Sequence, residues 1–261
     1  VLLIAYLLQK IISKESIIKL KNMKAMILAA GLGTRLQHFT KNKPKALVEI
    51  KGKTLLEKSI EKLIRFGVDD IIINIHHFAS QIIDFVNTHS FSARISFSDE
   101  SECLLDTGGG LKKAASFFND KQSFFLYNVD IISDIDLNKM YQYHLQQKSL
   151  ATLAVKNRKT QRYLLFDNNM RLCGRYNTKT EEKTLLFEKE LNYKQFAFSG
   201  IHVISPEIFT LMPQENIFSI TDLYLQLATN HLINGYDHSD DFWMDMGKIQ
   251  SLEDIEKTNF I

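Results

Sequence analysis

The first half of this 261-residue chain alternates short apolar runs with amphipathic stretches. The apolar runs, rich in Ile, Val, Leu and Phe, lie at residues 25–29, 71–75, 93–97 and 123–127, and the amphipathic stretches at 54–66, 78–86 and 110–118. Buried strands that alternate with helices are typical of a parallel sheet with crossover connections. The pattern predicts an α/β fold, a Rossmann-like mixed and mostly parallel sheet flanked by helices.

The second half is richer in predicted strands and carries no Gly/Ser-rich linker. Strands are predicted at 151–155, 162–166, 170–173 and 196–204, an exposed loop at 177–183, and helices at 136–147, from 205, at 220–230 and from 251. Since no change in composition marks a boundary, we expect residues 23–261 to form a single domain.

The first 22 residues are set apart as an N-terminal extension. Their apolar run, residues 1–8, is far shorter than the roughly 20 residues that span a bilayer, and its lysines follow it, unlike those of a secretory signal. Because Met23 directly precedes the first predicted strand, we expect Met23 to be the native start. No membrane partner is expected.

Charge and cysteine content exclude other classes of protein. The formal net charge of +2 gives no electrostatic reason to expect a nucleic-acid partner. The two cysteines, Cys103 and Cys173, lie far apart without metal-site spacing, so neither a disulfide framework nor a zinc site is expected.

A glycine-rich stretch after the first predicted strand is the most informative motif. Residues 28–47 read LAAGLGTRLQHFTKNKPKAL, so a strand runs into a turn whose amides can approach phosphate oxygens, and cations follow at Arg35 and Lys45. The dinucleotide fingerprint needs a glycine where Leu36 stands, and the NTPase phosphate loop needs one where Leu47 stands. The stretch predicts a triphosphate-binding loop of another kind.

The stretch resembles the signature of the sugar-1-phosphate nucleotidyltransferases, roughly LAAGxGTRLxPLTxxxPKPL, with departures at Gln37 and His38. Four further segments follow in the family's order: NIHH at 74–77, DTGGG at 106–110, FSGI at 198–201 and WMDMG at 243–247. The resemblance implies the nucleotide-diphospho-sugar transferase type of α/β fold. Within the family, the chain is similar to the N-acetylmuramate-1-phosphate uridylyltransferases and to mannose-1-phosphate guanylyltransferase-like proteins.

The resemblance also implies a nucleotide site, with Arg35 and Lys45 as the catalytic cations. Its expected residues are Ala30, Gly31, Gly33, Thr34, Arg35, Asn74, Thr107, Gly108 and Gly109. The glycines at 108–110 precede the helix predicted at 110–118, where backbone amides and the helix dipole suit an anion or the close approach of a base and ribose.

Two carboxylates are expected to hold the cofactor, Mg²⁺. Asp130 follows the predicted strand at 123–127, at the carboxyl edge where open α/β sheets bind ligands. Asp245 lies among large apolar residues, where a charge needs a partner such as a metal. By resemblance both are ligands of one ion, and substrate phosphates complete its coordination. Val129 and Lys248 stand where the family commonly has Gly and Thr.

The implied reaction takes a nucleoside triphosphate and a sugar-1-phosphate, both small molecules, to a nucleoside diphosphate sugar and pyrophosphate in the cytoplasm. The expected sugar-binding residues, by family position, are Glu188, Ser199, Gly200 and Asp222. The resemblance admits uridylyl and guanylyl transfer, and the compact chain with its NIHH string favours uridylyl transfer.

Three other functions stay open at this point. A phosphocholine-type cytidylyltransferase has a similar fold and loop. A catalytically silent regulator that binds a nucleotide sugar would explain the departures from the signature. A glycosyltransferase would use an Asp-x-Asp metal motif, and Asp134 and Asp136 have that spacing.

Overall fold

The computed structural model describes residues 23–187 and 192–258. The strands are β1 (Met23–Leu28), β2 (Glu49–Ile50), β3 (Lys53–Thr54), β4 (Val68–Ile75), β5 (Arg94–Asp99), β6 (Phe124–Asn128), β7 (Ile131–Ser133), β8 (Ala151–Lys156), β9 (Arg162–Phe166), β10 (Leu172–Asn177), β11 (Glu182–Leu185), β12 (Lys194–Ile204), β13 (Ile233–Asp237) and β14 (Trp243–Asp245). The helices are α1 (Leu55–Arg65), α2 (Ala79–Thr88), α3 (Asp106–Lys113), α4 (Leu137–Gln147), α5 (Ile220–Leu227) and α6 (Ile249–Glu256). The predicted 1–22 extension lies outside the described residues.

Four parallel strands form the part of the main sheet that positions the site. Their order is β6-β1-β4-β5, and each pairs in parallel with its neighbour. Leu28, at the end of β1, lies opposite Asn74 of β4 on one side and Asn128 of β6 on the other. The loops that leave these three strands therefore meet at one edge of the sheet.

Antiparallel strands extend the sheet beyond β6. Strand β12 pairs antiparallel with β6, β8 and β9, and β8 pairs in parallel with β13. Beyond β9 the sheet continues through β10 to β11. The expected mixed, mostly parallel central sheet is confirmed, and the second half adds strands that are antiparallel except for the β8–β13 pair.

Helices cover both faces of the sheet because its central strands are apolar on both faces. In β1, Ala25 and Ile27 belong to one buried cluster, together with residues of α1, α2 and α4, while Met26 belongs to a second one, together with residues of α3 and α5. A third, smaller cluster joins Leu36, Met246 and residues of α6 near the carboxyl edge of the sheet. Within the described residues, no helix has the length and apolar character to cross a membrane.

Several predicted elements differ in bounds or type; the strand predicted at 170–173 is β10 (Leu172–Asn177), and the helix predicted from 205 is a 3-10 helix (Pro206–Leu211). The helix predicted at 110–118 begins at Asp106, and residues 115–117 form a separate 3-10 turn. The loop predicted at 177–183 contains the start of β11, a largely exposed edge strand. Edge strands tolerate charged residues on both faces, so β11 lacks the apolar alternation that would have predicted it.

Candidate active site

A cleft of about 670 Å³ lies at the carboxyl edge of β1, β4 and β6. The expected site residues that line it are Ala30, Gly31, Gly33, Thr34, Arg35, Lys45, Asn74, Thr107 and Asp130. Leu32 and Ile217 are exposed apolar residues at its margin. The cleft therefore brings together the glycine-rich loop, both expected cations and one expected metal ligand.

The glycine-rich loop folds back so that Lys45 lies beside it. Gly33 has φ +66°, and a Cβ there would lie 3.0 Å from Cβ of Lys45 and 3.1 Å from Cγ2 of Thr40. The Thr40 hydroxyl donates to the Gly33 carbonyl at 3.0 Å. Both the left-handed backbone and the close approach require glycine at this position. By contrast, a Cβ at Gly31 would meet nothing within 4 Å, so that part of the loop is open to the cleft.

Asn74 holds the loop at its start. Its Oδ1 accepts from the amides of Ala29 at 2.7 Å and Ala30 at 3.3 Å, and its Nδ2 donates to Glu100 Oε1 at 2.8 Å. Because most of the hydrogen-bonding capacity of the side chain is used within the protein, Asn74 orients the loop more than it offers contacts to a nucleotide. The fully buried Glu100 also accepts from the amide of Leu105 at 3.1 Å.

Asp130 and Asp245 are brought together by a short pair of strands. Strand β7 begins directly after Asp130 and pairs antiparallel with β14, with Asp245 opposite Ile131. The amide of Met246 donates to the Asp130 carbonyl at 2.8 Å. This strand pair places two carboxylates that are far apart in sequence at the same point of the cleft.

The carboxylate of Asp130 forms an ion pair with the ammonium group of Lys45. Burial raises the pKa of Asp130 above its usual value; Lys45 opposes this rise, and the neighbouring Asp245 adds to it. Asp130 and Asp245 therefore repel each other, and nearby cations such as Lys45 offset that repulsion.

Three charged groups converge on Gly247, and Asp130 joins them through its ion pair with Lys45. A Cβ on Gly247 would lie 2.8 Å from Asp245 Oδ1, 2.9 Å from Arg35 Nη2 and 3.1 Å from Lys45 Nζ. The amide of Gly247 donates to Asp245 Oδ1 at 2.7 Å. The arrangement is a compact set of two carboxylates and two cations around a space that only glycine leaves open.

The chemistry of this set suits a small divalent cation. Asp130 and Asp245 offer the hard oxygen donors that Mg²⁺ prefers, and their repulsion favours a positive ion between them. In the described part of the chain no three or more His, Cys, Asp or Glu residues cluster as a metal-binding group. A magnesium ion held here would therefore take its other ligands from substrate phosphates and water.

Gly108 and Gly109, expected among the nucleotide-binding residues, pack against the 216–218 segment. Their amides donate to the Phe218 carbonyl at 2.9 and 3.2 Å. A Cβ on Gly109 would lie 1.9 Å from the Asn216 carbonyl oxygen, and one on Gly108 would lie 2.3 Å from the Phe218 ring. These glycines let α3 approach the 216–218 segment closely, so their amides are not available to an anion.

Two of the expected sugar-binding residues lie in the core. Ser199 is fully buried, and its hydroxyl lies 2.7 Å from His238 Nε2. Gly200, at φ +76°, forms part of an irregularity in β12 and packs against Asn128 and Ile131. The structure therefore shows packing contacts for both, and neither lines the cleft. Glu188 lies outside the described residues.

Asp222 lines a second cavity of about 540 Å³. It forms an ion pair with Arg175 at 2.6 Å, and Arg158, Tyr163 and Thr221 also line this cavity. The first cleft and the second cavity adjoin at the start of α5, where the amide of Ile220 donates to Thr107 Oγ1 at 3.0 Å. Asp222 is thus the expected sugar-binding residue that the structure places in a cavity beside the cleft.

Sequence reasoning missed Glu100 and Arg158. Glu100 directly follows β5 at the same sheet edge as Asp130, and the rule that selected Asp130 could have selected it. Arg158 follows β8 in a polar segment, and nothing local distinguishes it from its neighbours. Asp134 and Asp136, the Asp-x-Asp pair, have local roles: Asp134 accepts from the amide of Phe242, and Asp136 caps α4.

Comparison with known proteins places this cleft in context. A family model described as "Nucleotidyl transferase" matches residues 24–259. An N-acetylmuramate alpha-1-phosphate uridylyltransferase from Caulobacter vibrioides is 28% identical over 87% of this chain and 93% of the relative. A UTP–glucose-1-phosphate uridylyltransferase from Synechocystis is 29% identical over 87% of this chain, which spans 61% of that longer relative.

Solved structures agree on the fold. The structure of HddC from Yersinia pseudotuberculosis, complexed with GMP-PN, superimposes with a TM-score of 0.73 at 23% sequence identity. The match covers 90% of this chain and 98% of the HddC chain. A UDP-glucose pyrophosphorylase complexed with UDP-glucose gives a TM-score of 0.70 at 16% identity, over 90% of this chain and 97% of its own. Both structures share the mixed sheet described above.

Proposed function

Because this chain belongs to the nucleotidyl transferase family, we propose that it transfers a nucleotidyl group from a nucleoside triphosphate to a sugar-1-phosphate. The observation that carries the proposal is the convergence of Arg35, Lys45 and Asp245 on Gly247, with Asp130 paired to Lys45. The relatives named uridylyltransferase support a uridylyl donor. The products are a nucleoside diphosphate sugar and pyrophosphate.

The reaction is an in-line displacement at the α-phosphorus. An oxygen of the sugar phosphate forms a bond to the α-phosphorus, while the bond from that phosphorus to the β-phosphate oxygen breaks and pyrophosphate leaves. The attacking phosphate is ionised at neutral pH, so no protein base is needed. The protein contributes alignment of the two substrates and neutralisation of charge.

Each group of the cleft has a part in that task. The open amides near Gly31 and the guanidinium of Arg35 bind the triphosphate, and Lys45 neutralises charge that moves toward the leaving group. Asp130 and Asp245 would hold Mg²⁺, which supplies Lewis-acid neutralisation of the phosphate oxygens. The second cavity, with Asp222, holds the sugar. We place this reaction in the cytoplasm, since both cysteines are free and one is exposed.

A pyrophosphate-release assay tests the proposal. The full chain is incubated with each of four nucleoside triphosphates and a panel of sugar-1-phosphates, with and without Mg²⁺. We expect release with at least one pair, dependent on both substrates and on the metal, and strongest with UTP. Absence of release with every pair would refute the proposal and favour a silent nucleotide-binding protein.

Two carboxamide variants test the site itself. Asp130→Asn and Asp245→Asn each remove a hard anionic oxygen, so we expect each to lose most turnover and to bind Mn²⁺ more weakly in a metal titration. Asp240→Asn is the matched control, because Asp240 is exposed and lines neither cavity. Near-normal turnover in either site variant would remove that residue from the proposed metal site.

A further inference from the structure

Arg158 lies in a position that the roles described so far leave unexplained. It lines the second cavity, and its guanidinium carbon lies 4.1 Å from the centre of the Trp243 ring. Its Nη2 donates to the Phe198 carbonyl at 2.9 Å, and its Nε is buried without a hydrogen-bond partner among the described residues. The guanidinium of Arg158 is thus only partly satisfied within the described part of the protein, although the residue lines a cavity.

The charge of Arg158 has no direct counter-ion. In the ranges 23–187 and 192–258, no carboxylate forms an ion pair with it, whereas Arg175 of the same cavity pairs with Asp222 at 2.6 Å. Burial lowers the pKa of Arg158, and the more distant charge of Asp245 partly offsets this effect. Burying a charged guanidinium away from water without a charged partner costs free energy, and a bound anionic ligand would offset that cost.

The position of Trp243 relates Arg158 to the carboxylates of the cleft. Trp243 and Asp245 are two residues apart on β14, so their side chains point to the same face of the strand. Two residues of a strand span roughly 7 Å. Asp245 is the carboxylate whose charge acts on the guanidinium over Trp243, so the two groups belong to the same region of the protein.

We propose that Arg158 binds the phosphoryl group of the sugar phosphate and holds it between the second cavity and the carboxylates Asp130 and Asp245. This inference rests on the proposed function, because it assigns the acceptor to the second cavity. Stacking on Trp243 and the bond to Phe198 fix the guanidinium plane, so the remaining donors point in a defined direction. The sugar occupies the cavity, and its phosphate faces the cleft.

Steady-state kinetics separate this role from a general one. In Arg158→Gln we expect KM for the sugar phosphate to rise roughly 10- to 100-fold, the usual effect of losing charge-assisted hydrogen bonds, while KM for the triphosphate stays unchanged. Arg158→Lys should recover only part of the loss, because an ammonium group lacks the planar fork. Lys159→Gln makes the same charge change at an adjacent exposed residue that lines neither cavity, and should behave as wild type.

A binding measurement keeps the test independent of turnover. Inorganic phosphate is titrated calorimetrically into the full-length wild type, Arg158→Gln and Lys159→Gln, and thermal unfolding of each is recorded. We expect Arg158→Gln to lose a binding event that the other two retain, and its melting temperature to fall by only about 2–4 °C, because the stacking on Trp243 and the bond to Phe198 are lost with the guanidinium. Equal phosphate binding in all three, or KM values for both substrates that rise together with a larger fall in melting temperature, would overturn the proposal. If the wild type lacks turnover with every substrate pair, the proposed function fails, while the titration still decides the role of Arg158.

Discussion

Gly247→Ala is the substitution that most directly tests the geometry of the cleft. The added Cβ would lie 2.8 Å from Asp245 Oδ1, 2.9 Å from Arg35 Nη2 and 3.1 Å from Lys45 Nζ. Two of these separations are below 3.0 Å, a distance that real Cβ contacts essentially never show. All three atoms are the ends of side chains, so the side chains move and the backbone does not. The substitution therefore displaces a carboxylate and two cations together while leaving the fold in place.

The expected cost falls on activity and not on stability. Displacing one preorganised charged group from a transition state costs about 10²- to 10³-fold in rate, or about 2.7–4 kcal/mol, and this substitution moves more than one. We expect kcat/KM to fall by at least about 100-fold. The free energy of unfolding should change by less than about 1 kcal/mol, which corresponds to less than about 4 °C in the melting temperature.

Pyrophosphate release and thermal unfolding are measured side by side, with Gly235→Ala as the reverse control. A Cβ at Gly235 would lie 2.8 Å from Met170 Cε and 3.0 Å from Phe166 Cε1, away from the cleft. Gly235→Ala should therefore lower stability by about 1–3 kcal/mol and leave the kcat/KM of the folded protein unchanged. If Gly247→Ala keeps wild-type activity, the side chains around Gly247 do not act on the reacting groups and the reasoning fails.

Three further changes probe the surroundings of the cleft. Gly109→Ala places a Cβ 1.9 Å from the backbone oxygen of Asn216, which cannot move aside, so urea unfolding should show a loss of about 3 kcal/mol or more. Asn74→Ala leaves two loop amides without their acceptor and should raise KM for the triphosphate, with about 1–3 kcal/mol lost in unfolding. Burial lowers the pKa of His144 to about 4 and of His202 to about 3. Both histidines are neutral in the folded protein, so their full contribution to stability is present above pH about 6.5, the pKa of a histidine in the unfolded chain. Below that pH the unfolded chain binds protons that the folded protein does not, so the free energy of unfolding should fall by about 1.4 kcal/mol per histidine for each pH unit. A free energy of unfolding that stays constant from pH 7 to 5 would contradict this.

The parts of the site that are local in sequence could be predicted from sequence. The apolar run before Gly31 indicated a buried strand that leads into the glycine-rich loop, and Asp130 was selected because it follows another buried strand at the carboxyl edge. The structure brings both to one cleft. Asp245 is different, because its place beside Asp130 depends on the pairing of β7 with β14, two short strands that no periodicity indicates.

Gly108, Gly109 and Ser199 make contacts with distant segments that their local sequence did not indicate. The glycines at 108 and 109 were expected to free their amides for an anion, but a segment about 110 residues later in the chain takes those amides and occupies the space. Ser199 was expected to face a sugar, but its hydroxyl lies in the core, 2.7 Å from Nε2 of His238, which directly follows β13. In each case a small or polar residue is suited both to ligand binding and to packing, and the contact it makes depends on a residue far away in sequence. Arg158 was missed for the same reason, since its significance comes from Trp243.

The charges of the two cavities explain why the acceptor needs its own cation. Arg35 and Lys45 balance Asp130 and Asp245, so the cleft is close to neutral before substrates bind. A triphosphate brings more negative charge than one divalent ion removes, and the phosphate of a second substrate must then approach an anionic site. Without a further cation, repulsion would oppose the contact that the reaction requires. Arg158 supplies that cation from the wall of the second cavity, which none of the groups that hold the triphosphate line.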